Sequence, residues 1–87
     1  MNVNDARPIH IGGLYRHFKG GVYRVLDLAL DATTMRDAVI YQNIRDCGKW
    51  VRPLDEFLSA VDKTKYPDAT QKWRFAEIKE HRYGNKA

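Results

Sequence analysis

Tyr15 and His17 stand two residues apart, as do Trp50 and Arg52. In extended chain such pairs point to the same face. Tyr23 lies just across a Gly20-Gly21 turn with Arg24 beside it, and Tyr41 sits in a β-branched, aromatic run. If these faces converge, they make an aromatic surface edged by cations. Such a surface stacks a planar ring and pairs a phosphate or carboxylate. The competing reading makes Tyr15, Tyr23, Tyr41 and Trp50 large core residues whose polar ends reach the rim. A core has little use for an imidazole and a guanidinium together, so His17 and Arg52 keep the binding reading open. Tyr15, His17, Tyr23, Arg24, Tyr41, Trp50 and Arg52 are therefore the candidate ligand-binding residues.

Catalysis and metal binding find less support. His10, His17 and His81 have no metal-ligand spacing, and neither His-x-x-Glu-His nor Cys-x-x-Cys occurs. Cys47 is the only cysteine, which excludes an intramolecular disulfide and a thiolate cluster. It lies between Arg45 and Lys49, whose charges favour a thiolate, but a bystander thiol in a turn is the better reading. Ser59 is the only serine, with no histidine near it in sequence. Asp55 and Glu56 are adjacent, so they point in different directions and make a poor acid–base pair. Gly12-Gly13 and Gly20-Gly21 lack the Gly-Lys-Ser/Thr ending and the long helix of a phosphate loop. No catalytic residue, metal or cofactor is expected, and no residue set here requires an enzyme.

The elements that must hold these side chains read as strands. Leu14–Lys19 and Val22–Leu30 flank Gly20-Gly21, and two glycines between aromatic runs predict a hairpin closed by a two-residue primed turn. In the second run Val22, Leu26, Leu28 and Leu30 share one parity, with Arg24 the exception, which predicts that this is its core face. Asp31 to Arg36 is a polar loop. Residues 38–44 form a third strand, and Gly48 is placed to take a positive φ in the turn that follows. Lys49–Arg52 is a short fourth strand stopped by Pro53. Leu54 to Leu58 suit one 3₁₀ turn that tucks Leu54, Phe57 and Leu58 beneath the strands. Residues 59–62 would be a short closing strand. Residues 73–78 read as extended or as a helix capped by Asp68 or Thr70. The sum is a single all-β domain over residues 11–78, an SH3-like barrel of about five strands, with an OB-like barrel as its rival. Residues 1–10 read as a flexible arm or an added edge segment, and 79–87 as a charged, flexible tail.

An 87-residue chain buries one modest core. It is 44% hydrophobic and 30% charged, which suits a folded domain. No apolar run approaches a membrane span, and Asp5, Arg7 and His10 interrupt any leader, so a cytoplasmic protein without membrane contact is expected. The net charge of +4 is uneven. Residues 1–59 hold eight Lys/Arg against seven Asp/Glu, whereas 60–87 hold seven against four. That basic end is either an ordinary soluble surface or an attraction to phosphate.

The stretches Gly13-Leu14-Tyr15-Arg16-His17-Phe18-Lys19-Gly20, Tyr23-Arg24-Val25, Val39-Ile40-Tyr41-Gln42 and Trp50-Val51-Arg52-Pro53, with Phe57 behind them, resemble a family of short bacterial and phage domains of unknown function. The resemblance runs from residue 12 to 78 and includes Arg74-Phe75. It implies a compact SH3-like barrel and carries no established activity. Members usually have His-x-Glu-Thr between the second and third strands, where this chain has Asp31-Ala32-Thr33-Thr34, so no polar role transfers to that stretch. Three binding functions follow from the residues. The first is a small anionic, phosphate-bearing aromatic ligand of nucleotide type. The second is nucleic acid held by the same face and by Lys72, Arg74, Lys79, Arg82 and Lys86. The third is a peptide of a protein partner, and a second copy of the chain would also cover an exposed aromatic face.

Overall fold

The computed structural model describes residues 7–79. Residues 1–6 and 80–87, which hold most of the expected arm and tail, lie outside the described residues. Five strands, β1 (Leu14–His17), β2 (Val22–Leu30), β3 (Asp37–Asn43), β4 (Lys49–Pro53) and β5 (Phe75–Glu77), form one antiparallel sheet in the order β4-β3-β2-β1-β5. The only helix among the described residues is the single turn α1 (Leu54–Phe57). The protein is therefore a small all-β domain. Its edge strands β4 and β5 are not paired, so the sheet does not close into the expected barrel.

Local chemistry explains most of the turns and corrects several expectations. The β1–β2 connection is longer than a two-residue turn. Gly20 N–H donates to His17 O at 2.8 Å, and His17 N–H donates to Gly21 O at 3.0 Å. Phe18, Lys19 and Gly20 thus form a three-residue loop, and both Gly20 and Gly21 take positive φ, 109° and 89°. The β2–β3 loop is tied by Asp31, whose carboxylate accepts the Thr33 and Thr34 amides at 2.9 and 3.3 Å. In the β3–β4 turn Asn43 Oδ1 accepts the Arg45 amide at 2.8 Å. The positive φ there falls on Cys47, at 64°, and not on Gly48. A left-handed conformation costs a side-chain-bearing residue ~1–2 kcal/mol. Cys47→Gly should therefore raise stability by about 0.5–1 kcal/mol in urea denaturation, after the larger entropy of the unfolded glycine chain is offset. A loss of stability would show that the turn relaxes differently.

The core face of β2 also differs from the simple alternation. Val25 pairs with Tyr41 but Asp27 pairs with Ile40, so Leu26 is an extra residue in a bulge. A bulge shifts the strand by one residue and exchanges its faces. Before it Tyr23 and Val25 face the core, and Val25 is fully buried. After it Leu28 and Leu30 occupy the inner parity but lie beyond the packed region and are exposed. The core is Tyr15, Val25, Val39, Tyr41, Phe57 and Phe75, with Ile9, Tyr23, Leu54 and Leu58 packed against it.

After Pro53 ends β4, the Leu58 amide bonds Leu54 O at 3.0 Å, the i to i−4 pattern of an α turn in place of the expected 3₁₀ turn. That turn drives Phe57 into the core with no exposed surface. The expected closing strand at 59–62 is reduced to one bridge, Ala60 to Trp73. Residues 73–78 are extended in part, as β5. Arg7 to His10, expected within the arm, lie against the sheet. The Arg7 guanidinium stands 4.2 Å over Trp73 and donates to Leu58 O, while the His10 amide donates to the Tyr15 hydroxyl at 3.1 Å.

Candidate functional site

The strand register decides which of the seven candidate residues meet. Paired residues in antiparallel strands share a face. Tyr15 pairs with Tyr23, Val25 with Tyr41, Tyr41 with Trp50, Val39 with Arg52, and His17 with Phe75. All of these point to the inner face. Five candidates, His17, Tyr23, Tyr41, Trp50 and Arg52, together with Phe75, line one concavity of about 170 Å³.

The other two do not reach it. Tyr15 is 1% exposed and belongs to the core, where burial pushes its phenol above the ordinary value. Arg24 is on the opposite face, and its guanidinium donates to Gly12 O at 2.6 Å, pinning the turn before β1.

Phe75 is the floor. Its ring stacks on Phe57 at 4.1 Å with an interplanar angle of 7°. Tyr41, Tyr23 and His17 meet it edge-on at 5.3, 5.9 and 4.8 Å. Edge-to-face contacts of this kind contribute ~0.5–1.5 kcal/mol each beyond the area they bury, so the walls are held by the core itself. Trp50 is 57% exposed and forms the open lip on the edge strand.

Arg52 is aimed by its neighbours. Nε donates to the Tyr41 hydroxyl at 3.2 Å, Nη1 lies 3.6 Å from Glu56, and the guanidinium carbon is 5.7 Å over the Phe75 ring. The adjacent acids of α1 diverge, since Asp55 pairs with Arg36 at 2.7 Å. Glu56 is half exposed and only loosely engaged, which leaves Arg52 able to accept a stronger anion.

His17 accepts the Lys19 amide at Nδ1, 3.1 Å away, which places a ring proton on Nε2. Burial holds its pKa below the usual imidazole value, and the charges of Arg52, Arg74 and Lys19 lower it further. Neutral His17 stands among three cations, with Glu56 3.6 Å from Arg52 as a loosely engaged counter-charge. Its folded-state pKa is depressed, so the unfolded chain takes up the proton first. The contribution of His17 should therefore be independent of pH above ~6.5 and fall as pH drops below that through the folded pKa. Urea midpoints for the protein and for His17→Gln should separate at neutral pH and converge in that acidic window. A constant gap would remove the titration from His17.

Phe75 and Lys19 were not among the candidates, and Arg74 was expected only as part of the basic end that nucleic acid would meet. Phe75 reaches the site only through the β1–β5 pairing, which joins chain segments far apart in sequence. The Arg74-Phe75 pair beside Trp73 is the signal that was present for it. Among the described residues no three His, Cys, Asp or Glu side chains converge as metal ligands would, and no helix is long and apolar enough to cross a membrane.

An open five-stranded antiparallel sheet carrying an aromatic, cation-edged concavity defines a small all-β domain. The chain belongs to the family described as protein of unknown function (DUF1653), which matches residues 13–77 and so spans β1 to β5. No curated protein and no solved structure gives a match.

Proposed function

We propose that the domain is a non-enzymatic binding module for a planar, phosphate-bearing ligand of nucleotide type. The observation that carries this reading is the concavity in which Tyr23, Tyr41, Trp50 and Phe75 surround His17 and Arg52. Its volume, about 170 Å³, is below the ~300 Å³ at which sites for whole drug-sized ligands begin. It suits one ring, with the phosphate left outside among Arg52, Arg74 and Lys19. Stacking on the exposed Trp50 supplies affinity for the ring, and charge-assisted hydrogen bonds hold the phosphate.

A thermal-shift series with the common nucleoside monophosphates and triphosphates tests this. A ligand at a hundredfold excess over its Kd stabilises the fold by about 2.7 kcal/mol, which raises the melting temperature by at least ~10 °C for a domain of this size. Absence of any shift across the series rejects the proposal.

A second reading rests on a different observation. Trp50 and Val51 are 57% and 66% exposed on β4, an edge strand that is unpaired on its outer side among the described residues, where an extended peptide would add as a strand. Binding of that kind would protect the β4 amides from hydrogen exchange and would not respond to nucleotides.

A further inference from the structure

A second concavity, of about 380 Å³, is lined by Phe18, Lys19, Tyr66 and Pro67 among others. It is joined to the first through consecutive residues. His17 lines one and Phe18 the other, and their rings stack at 4.8 Å. Phe18 in turn meets the Tyr66 ring edge-on at 5.0 Å.

Cations follow the same path. Lys19 Nζ stands 4.8 Å over the Tyr66 ring and Lys65 Nζ 5.8 Å from it. Arg74 is anchored through Nε to Ser59 Oγ at 3.2 Å. Its charge, like that of Lys19, acts on both His17 and Tyr66. Asp68 lines the second concavity, and Glu56 sits beside Arg52. Asp62 also acts on Lys65, and these three acids do not cancel the four cations Arg52, Arg74, Lys19 and Lys65.

We infer that the two concavities are successive subsites of one track for single-stranded nucleic acid, with a base in each and the phosphates between them on Lys19 and Arg74. This rests on the nucleotide reading of the first concavity and extends it from one nucleotide to a strand. Alternating rings and cations are the means by which proteins hold single strands without reading sequence. A stacked strand rises ~3.4 Å per nucleotide, so it crosses the two ring steps from His17 to Tyr66 in about three nucleotides. A duplex keeps its bases paired and has nothing to place in either concavity.

The test compares thymidine 5′-monophosphate, pentathymidylate and a duplex containing the same pentamer, by titration calorimetry on the protein, Tyr66→Ala and Lys19→Gln. The Tyr66 backbone contacts, its amide to Asp62 O at 2.8 Å and its carbonyl to the Ala69 amide at 3.2 Å, survive the alanine change. The pentamer should bind at least tenfold more tightly than the monophosphate, and the duplex more weakly than the pentamer. Tyr66→Ala should weaken the pentamer about tenfold and leave the monophosphate within twofold. Lys19→Gln should reduce the salt dependence of pentamer binding, where each phosphate contact contributes a slope of about −0.7 in log K against log salt. It also provides the test should Tyr66→Ala fail to melt cooperatively. A monophosphate that binds as tightly as the pentamer overturns the track and leaves the single-nucleotide reading standing. A duplex that binds as tightly as the pentamer also overturns the track. Failure of both monophosphate and pentamer to bind overturns the two readings together.

Discussion

Phe75→Ala is expected to destabilise the domain by about 3–5 kcal/mol, the range for emptying a large aromatic from a packed core. Phe75 is 1% exposed and contacts Phe57, Tyr41, Tyr23 and His17 at once. Total stability at ~0.05–0.15 kcal/mol per residue amounts to roughly 4–13 kcal/mol for a chain of this size. One truncation therefore removes a large share of it. The effect should exceed that of removing any exposed side chain because Phe75 also carries β5, a strand of three residues. Strand β5 binds the sheet only through β1, and without the ring its pairing has little to hold it. Phe75→Leu, which keeps most of the volume, should lose less than half as much. Urea denaturation followed by circular dichroism measures both. A loss below about 1 kcal/mol for the alanine variant would mean that Phe57 and Tyr41 close over the gap, and that Phe75 is not the floor of the concavity.

The all-β character and four of the strands were legible because their signals are local. Gly20-Gly21 between aromatic runs, the β-branched stretch Val39-Ile40-Tyr41 and the Pro53 stop each act over a few residues. The face of β2 was only partly legible, since Val22, Leu26, Leu28 and Leu30 share a parity that Arg24 alone interrupts. Leu26 is displaced by a bulge, and Arg24, outward-facing before it, is the one trace that the alternation carries of the extra residue. The candidate site divided along the same line. His17, Trp50 and Arg52, set on one face by the spacing within their own strands, do line one concavity. Tyr15 and Arg24 do not line the concavity, because the register, not the residue type, sets which tyrosine is core and which arginine faces away. Phe75, Arg74 and Tyr66 come from the last third of the chain, and only the non-local β1–β5 pairing and the loop packed on Phe18 bring them to the site. Such contacts join distant segments and leave no periodic trace.

Trp50→Ala separates binding from folding, because its ring is more than half exposed. Its stability should stay within about 1 kcal/mol of the parent. A nucleotide ring stacked on it loses ~1–3 kcal/mol, a weakening of roughly 5- to 150-fold. Arg52→Gln should weaken a monophosphate comparably, at ~1.5–3 kcal/mol for a lost charge-assisted hydrogen bond. It should affect the unphosphorylated nucleoside far less, since ring stacking does not need the charge. The double variant decides whether one ligand uses both residues. If the ring on Trp50 and the phosphate on Arg52 belong to one molecule, losing either contact loosens the other. The two losses should then differ from simple addition by more than about 0.5 kcal/mol. Strict additivity would assign Trp50 to a separate surface, and sedimentation of the protein and of Trp50→Ala would show whether that surface is the contact with a second copy. A dimer that Trp50→Ala dissociates would make the exposed indole an interface. The concavity behind it would then open only in the monomer.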